Sequence, residues 1–248
     1  MKISLIGFGK MGKVVNDLAK EKNIEICSII DPVSKEANFR EISIDSIGNA
    51  DVCIDFTNPS CALDNIKNVI ALGKNLVVGT TGWYNKIDEV RSLVNNSKIG
   101  FVYGSNFSIG MNLFYKIIDF SSNLFNRFSE YDVAGQELHH NLKADSPSGT
   151  AIELSNIILK NIERKKNVLF GNSNGKINCE TLQFTSNRCG FIPGTHKIIF
   201  DSYADTIELI HSVRNRLGFA EGALLSAKLI AGKKGFFTFN ELLTELIK

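Results

Sequence analysis

The sequence predicts an α/β fold, in which a Rossmann-type parallel sheet domain carries an inserted α+β domain. Short apolar runs alternate with helix-like segments over the first hundred residues, which is typical of a parallel sheet covered by helices. A glycine-rich turn follows the first run directly. The pattern changes after about Asn106 and returns to helix near Leu217. We therefore predict one domain from residues 1–107 and 217–248, and a second from residues 108–216.

The alternation defines the elements of the first domain. Its helix-like stretches show apolar residues at helical spacing, as at Leu63, Ile66, Val69 and Ile70. The predicted strands are Lys2–Ile6, Ile24–Ile30, Val52–Phe56, Leu76–Val78 and Gly100–Tyr103, and the predicted helices are Met11–Lys20, Cys61–Leu72 and Tyr84–Asn96.

The middle region has a different composition of elements. A helix is predicted around Met111–Ile118, and an amphipathic helix carries Ala151, Leu154, Ile158 and Ile162 on one face. Strand-like runs follow, and the Asn174-Gly175 pair has the residues of a hairpin turn. The predicted strands are Thr181–Phe184, Lys197–Phe200 and Thr206–His211.

The turn after the first strand has the spacing of a dinucleotide-binding loop. Gly7, Gly9 and Gly12 form G-x-G-x-x-G between a strand and a helix, with Phe8, Lys10 and Met11 between them. Such glycines permit the turn, the approach of a pyrophosphate and close helix packing. Asp31 follows the second strand and can bind the ribose hydroxyls of NAD. Because a carboxylate repels a 2′-phosphate and Pro32 follows it, we predict that NADH is preferred over NADPH.

Two further loops follow predicted strands, at the edge where open parallel sheets bind ligands. Their small and hydroxyl-bearing residues suit contact with the nicotinamide and ribose, although each loop fits a plain turn equally well. The candidate cofactor contacts are Gly79, Thr80, Thr81, Gly104, Ser105, Asn106 and Phe107.

The stretch ELHHNLKADSPSGTA, residues 137–151, concentrates groups that exchange protons and bind anions. His139 or Lys143 can transfer a proton, and Ser148, Gly149 and Thr150 lie near a helix start that suits a carboxylate. Pro147 in the first turn, or a Thr150–Glu153 capping box, would begin that helix.

Simpler interpretations of the same stretch remain open. Asp145 or Ser146 could cap the helix, and Lys143 could be a solvated loop residue. His139 and His140 could bind a metal, but no third ligand lies at convincing spacing, so we predict no metal site.

Composition limits the partners of the protein. The net charge of +2 gives no broad electrostatic surface for nucleic acid or an anionic membrane. The five cysteines are dispersed without a Cys-x-x-Cys pair, and no apolar stretch has membrane-spanning length. We therefore expect a cytoplasmic protein with reduced thiols.

The motif in residues 139–151 resembles the signature of the 4-hydroxy-tetrahydrodipicolinate reductase family, His-His-x-x-Lys-x-Asp-x-Pro-Ser-Gly-Thr-Ala, at every fixed position. The resemblance covers essentially the whole chain. It includes GFGKMG, DVCIDFTNP, VVGTTGW and GSNFSIGMN, the segment from Arg188 to His196, and the closing segment from Glu208 to Ala223. The segment VAGQEL is more polar than the usual strand of the family, so an irregular strand is expected there.

The resemblance implies an NAD(P)H-dependent reductase of the diaminopimelate route to lysine, acting on a cyclic dicarboxylate as a homotetramer. It implies that the inserted domain binds substrate and builds the tetramer. By matched position, His139 is a proton donor or acceptor and Lys143 a proton donor. His140, Ser148, Gly149 and Thr150 contact substrate, and Asp31 and the glycine-containing loops line the cofactor.

Two other functions are weighed against this one. A semialdehyde dehydrogenase of the same sheet type requires a nucleophilic cysteine beside a histidine, and none of the five cysteines lies near His139 and His140. A non-catalytic nucleotide sensor need not retain His139, Lys143 and the residues 148–150 together.

Overall fold

The computed structural model describes residues 1–247. These residues form two compact units, one from Met1–Ile109 together with the chain from Arg216 onward, and one from Gly110–Asn215. The elements in chain order are β1 (Lys2–Ile6), α1 (Lys10–Glu21), β2 (Glu25–Ile30), α2 (Ile44–Ile47), β3 (Val52–Asp55), α3 (Pro59–Ala71), β4 (Asn75–Val78), α4 (Ile87–Asn95), β5 (Gly100–Tyr103), α5 (Ile109–Phe125), β6 (Asp132–His139), α6 (Gly149–Asn161), β7 (Asn167–Phe170), β8 (Thr181–Arg188), β9 (Thr195–Asp201), β10 (Thr206–Ser212), α7 (Leu217–Ile230), β11 (Gly235–Thr238) and α8 (Phe239–Ile247).

The first unit is built on a six-stranded parallel sheet with the order β11-β5-β4-β3-β1-β2. The strands β1–β5 confirm the five predicted runs to within one or two residues. Central strands of such a sheet are buried on both faces, which explains why all four residues of β3 are buried. The edge strand β11 was not predicted, because only helices were expected after Leu217.

Helices cover both faces of this sheet. One core joins α1 and α7 to the sheet and includes Val15, Leu224 and Ile230. The other core joins α2, α3 and α4, and includes Ile66 and Val90. The order in which the strands are added to the sheet reverses between β1 and β3, so the loops after these strands border the position where this fold class binds ligands.

The second unit has a five-stranded mixed sheet with the order β10-β9-β6-β8-β7. Its core lies on one face, where α5 and α6 pack Phe114, Leu154 and Ile158 against the strands. The expectation of an irregular VAGQEL segment was wrong, since β6 pairs regularly with both β8 and β9. The polarity of this segment is explained by the candidate active site, to which Glu137 belongs.

The predicted hairpin at Asn174-Gly175 was also wrong. The strands on either side of this loop, β7 and β8, pair in parallel, so the loop is part of a longer crossover. Gly175 adopts the positive φ of 86° that favours Asn-Gly turns, but local conformation alone does not decide how the flanking strands pair.

Candidate active site

The glycine loop of the first unit has the geometry of a phosphate-binding turn. Gly7 has a φ of 90°, and a Cβ there would lie 2.3 Å from the carbonyl oxygen of Phe56, so only glycine fits. A Cβ on Gly12 would lie 2.2 Å from the carbonyl oxygen of Gly7. A Cβ on Gly9 would meet nothing within 4 Å, and Gly9 caps α1 without a side-chain hydrogen bond. The first N–H groups of α1 are therefore open to a phosphate, and the loop fits a dinucleotide.

The side chains between these glycines have different environments. Phe8 is buried in the core, so any contact with a cofactor would be through its backbone, whereas Lys10 is exposed and Met11 half-buried. The amide N–H of Phe8 donates to Oδ2 of Asp31 over 2.8 Å. This bond ties the glycine loop to the end of β2.

Asp31 is held by backbone donors on both oxygens. Its Oδ1 accepts from the N–H groups of Val33 and Ser34 at 2.9 and 2.8 Å. Burial alone would raise the pKa of Asp31, but these N–H groups and Arg40 lower the pKa below its ordinary value. Arg40, which the sequence analysis did not consider, donates from Nη1 to the carbonyl oxygen of Asp31 at 3.0 Å. A fixed carboxylate and a nearby guanidinium thus lie together after β2.

The other two predicted cofactor loops are held by buried side chains. Thr80 donates to Oδ1 of the fully buried Asp55 over 2.5 Å, which fastens the loop after β4 to the end of β3. Phe107 is a core residue with a T-shaped contact to Phe56. The exposed members of these loops are Thr81 and Ser105, while Gly79, Gly104 and Asn106 are half-buried.

In the second unit, β6, the loop that follows it and the start of α6 carry the other predicted residues. Ser148 is the N-cap of α6, and its hydroxyl accepts from the N–H of Ala151 at 3.1 Å. Both predicted starts, at Pro147 and through a Thr150–Glu153 box, were therefore wrong. A Cβ on the exposed Gly149 would meet nothing within 4 Å. The N–H groups of Gly149 and Thr150 find no acceptor in residues 1–247, so each could donate to a bound carboxylate.

Glu137 lies at the centre of this unit, although the sequence analysis did not select it. It is fully buried, and its Oε1 accepts from Ser148 N, Ser186 Oγ and Arg188 Nη2 at 3.0, 2.7 and 3.2 Å. Burial would raise the pKa of Glu137, but the neighbouring His196 ring and hydrogen bonds from Ser148 and Ser186 hold the pKa well below its usual range. Glu137 is therefore a charged carboxylate in the core.

His139 ends β6 on the same face as Glu137 and is only 7% exposed. Burial lowers the pKa of His139 from 6.5 to about 4; Glu137 opposes this change, while His196, Lys143 and Arg188 add to it. At neutral pH its imidazole is uncharged before a ligand binds.

Lys143 is held in the loop between β6 and α6. Its Nζ donates to Oδ1 of Asp145 at 2.7 Å. Arg188 Nη2 donates to the carbonyl oxygen of Asp145 at 2.7 Å and links the loop to β8. His140 is half-buried beside His139. The loop is thus fastened to the sheet at the residue that pairs with Lys143.

Glu137, His139 and His196 also offer three possible metal-ligating atoms within 4.8 Å of one another. The third candidate ligand, His196, is distant in sequence, which is why spacing did not reveal it. The guanidinium of Arg188 lies 3.2 Å from Oε1 of Glu137, and this fixed positive charge disfavours a cation there.

The open parallel sheet with a glycine-rich turn after its first strand is the architecture of dinucleotide-dependent dehydrogenases. The family profile described as "Dihydrodipicolinate reductase, N-terminus" matches residues 1–107, and the one described as "Dihydrodipicolinate reductase, C-terminus" matches residues 110–243. The chain belongs to this family. It is an NAD(P)H-dependent 4-hydroxy-tetrahydrodipicolinate reductase, which acts in the diaminopimelate route to lysine.

Individual relatives agree with this assignment. The chain is 32% identical to the 4-hydroxy-tetrahydrodipicolinate reductase of Christiangramia forsetii over 248 residues, the full length of both. It is 34% identical to that of Methanococcus aeolicus over 77% of this chain and 70% of the relative.

Solved structures show the same fold. A dipicolinate-bound dihydrodipicolinate reductase from Paenisporosarcina sp. TG-14 superposes with a TM-score of 0.77 at 22% identity, covering 97% of this chain and 98% of the other. An amine dehydrogenase from Mycobacterium smegmatis gives a TM-score of 0.64 at 10% identity, covering 97% and 95%. Within residues 1–247, every helix is too short or too polar to span a bilayer.

Proposed function

We propose that the second unit binds the dicarboxylate substrate through the N–H groups of Gly149 and Thr150, with His140 and Lys143 as further contacts. The observation that carries this proposal is the start of α6, where the N–H groups of Gly149 and Thr150 have no acceptor in residues 1–247 and a Cβ on Gly149 would meet nothing within 4 Å. Ser148, whose hydroxyl and N–H are both engaged by the protein, holds this start in place. The dipicolinate in the related solved structure is a ligand of the same chemical class.

We further propose that the proton of the reaction passes through His139 and Lys143. The net reaction consumes one hydride at carbon and one proton, and the hydroxyl group departs as water. The nicotinamide supplies the hydride when bound. Lys143 carries its proton as an ammonium paired with Asp145. The neutral His139 becomes a donor when the negative charge of the substrate raises the pKa of its imidazole.

Two substitutions test these roles in an assay of NADH oxidation with freshly prepared substrate. Lys143→Ala and His139→Ala should each lower kcat by roughly 100-fold or more if the residue transfers the proton. The exposed Lys166→Ala in the same unit is the matched lysine control. A variant with near-wild-type kcat would remove that residue from proton transfer.

Pyridine-2,6-dicarboxylate should inhibit competitively with the substrate, because one carboxylate suits the donors at Gly149 and Thr150 and the other suits His140 and Lys143. Gly149→Pro would remove one of these N–H groups and should weaken the inhibitor by about tenfold, the effect of losing about 1.4 kcal/mol. Proline is tolerated at the first position of a helix. Unchanged inhibition in a folded variant would contradict binding at this helix start.

The first unit is proposed to bind NADH in preference to NADPH. The candidate contacts are the loop Gly7–Gly12 and the loops at 79–81 and 104–107. The fixed charge of Asp31 supports the preference, since it repels a 2′-phosphate. Arg40 opposes it, because its guanidinium lies at the backbone of the same turn.

The ratio of kcat/KM for the two cofactors tests this preference. Wild-type enzyme should favour NADH, Asp31→Asn should move the ratio toward NADPH, and Arg40→Ala should move it toward NADH. Equal efficiency with both cofactors, or higher efficiency with NADPH, would refute the preference.

A homotetramer assembled through the second unit is also proposed. The sheet face opposite α5 and α6 carries Ala134, Leu138 and the exposed Ile210, beside an ion pair between Lys197 and Glu208. Sedimentation should give four chains for the wild type and a smaller species for Ile210→Glu, while a wild-type monomer would refute it. The cytoplasmic location stays a prediction.

A further inference from the structure

We propose that Glu137 is a positioning residue for the reduction, which orients the imidazole of His139 so that Nε2 is the atom that exchanges the proton. This inference rests on the proposed function of His139 and deepens it. The same carboxylate, through its other oxygen, holds the start of α6 where the substrate is proposed to dock.

The position of Glu137 in the strand is unusual for a carboxylate. Side chains alternate along β6, and Val133, Gly135, Glu137 and His139 share the buried face. Burying a charge is costly unless it is paired, so a purely structural position there would be apolar. The polarity of VAGQEL thus reflects a charge placed in the core next to His139.

The Oε1 atom of Glu137 is fully used by the protein. It accepts hydrogen bonds from Ser148 N, Ser186 Oγ and Arg188 Nη2, which come from α6 and β8. These donors fix the carboxylate and keep it ionised. They also leave Oε2 as the oxygen that can act on other groups.

The Oε2 atom faces two histidines and has no hydrogen-bond partner with good geometry in the described residues. It lies 3.4 Å from Nδ1 of His139 and 3.5 Å from Nε2 of His196. Sheet pairing causes this arrangement, because Glu137 is opposite His196 on β9 and Ser186 on β8. A small rotation of the ring closes the contact, and such bonds are often long before substrate binds.

A carboxylate beside Nδ1 selects the tautomer in which Nδ1 carries the proton, since a lone pair there would be repelled. Nε2 then has the lone pair. This atom lies toward Gly194, where an added Cβ would come within 3.1 Å of it. The absence of a side chain at Gly194 leaves Nε2 room to take up and release a proton.

The charges around His139 make Glu137 necessary when the ring is protonated. Burial, His196, Lys143 and Arg188 all lower the pKa of His139, and Glu137 is the group that raises it. Without that carboxylate, the imidazolium needed during turnover would face only positive or neutral neighbours among these groups.

The substitution Glu137→Gln tests the proposal with almost no change in volume. Gln can keep an acceptor at Oε1 but places an NH₂ group toward the histidines. We expect kcat to fall roughly 10- to 100-fold, with KM for the substrate changed less than about threefold. The limb of the kcat–pH profile that belongs to His139 should move to lower pH. Glu137→Asp, which keeps the charge, should recover part of kcat.

Three outcomes would overturn the proposal: a kcat within about threefold of wild type, a loss of inhibitor binding with kcat retained, or a chelator-sensitive activity restored by Zn²⁺. The last would assign Glu137, His139 and His196 to a metal.

The exposed Glu180→Gln in the same unit is the matched control and should behave as wild type. If Glu137→Gln does not fold by circular dichroism, Glu137→Asp takes its place, with an intermediate loss of kcat expected.

Histidine tautomers give a readout that a merely structural role would not move. The chain has four histidines, so ¹⁵N-histidine NMR with single His→Gln variants can assign each ring. At neutral pH the wild type should show His139 protonated on Nδ1, and Glu137→Gln should shift the proton to Nε2. The Nε2–H form in the wild type, or no change in the variant, would refute the orientation.

The double variant Glu137→Gln/His139→Ala separates the two levels of the proposal. If Glu137 acts through His139, the double variant should have the kcat of His139→Ala alone, because coupled residues are not additive. Additive losses would overturn the positioning role. Near-wild-type kcat in His139→Ala would instead refute the proposed function of His139. The tautomer measurement would still test whether Glu137 orients the imidazole of His139.

Discussion

Acidification should destabilise the folded protein through His139. Its pKa is about 4 in the folded protein against 6.5 for an ordinary histidine, so between these values the unfolded chain binds a proton that the folded protein does not. Stability is therefore present at pH 7 and is lost as the pH falls through this window. Linkage gives a loss of about 2 kcal/mol at pH 5 and about 3 kcal/mol at pH 4.

The variant His139→Gln isolates this contribution. Urea unfolding followed by circular dichroism at pH 7, 6 and 5 should show that the wild type loses about 2 kcal/mol more than the variant between pH 7 and 5. His211, whose pKa burial also lowers, acts in both proteins and cancels in the difference. Glu137, whose pKa is depressed, contributes stability that is lost only at lower pH, below this window.

Between pH 7 and 8 the two stability curves should be parallel, which serves as the internal control. Equal losses in the wild type and the variant between pH 7 and 5 would refute the reasoning. They would mean that water reaches the ring of His139 or that the loop around it opens before the protein unfolds.

Three further substitutions follow from close contacts and buried charge. Gly12→Ala should raise KM for NADH roughly tenfold, an effect of about 1.4 kcal/mol, because its Cβ would lie 2.2 Å from the Gly7 carbonyl; an unchanged KM would contradict it. Gly194→Ala, at a φ of 153° and 3.1 Å from His139 Nε2, should lower kcat about tenfold or more, and KM for NADH serves as its control. Lys165→Met should cost about 2 to 3 kcal/mol in urea unfolding, because the buried ammonium donates to the carbonyl oxygens of Cys179 and Thr181; Lys166→Met, which is exposed, should cost little.

The cofactor side of the molecule was largely predictable because its signals are local. Apolar runs and helical spacing defined β1–β5 and the helices between them, and Gly7, Gly9 and Gly12 are neighbours in sequence. The roles of side chains were less predictable. Phe8 and Phe107 were selected as cofactor contacts, but core packing directs both rings inward.

The start of α6 shows how tertiary contacts choose between equivalent local signals. Pro147, Ser148 and Thr150 each suit a helix start by residue type. Ser148 is the cap because its N–H donates to Glu137, a residue on the neighbouring strand. Local propensity offers several registers within a few residues, and the partner outside the helix decides among them.

The sequence by itself determined the parallel sheet, the glycine loop and the His-His motif, since the signal for each lies in residues that are close together along the chain. Only the tertiary structure brought Glu137 together with Ser186 on β8 and His196 on β9. It also decided the parallel pairing of β7 with β8 and the sheet edge at β11. Register between strands far apart in the chain follows from the packing of a whole face, because a shift of one residue turns every side chain to the other side.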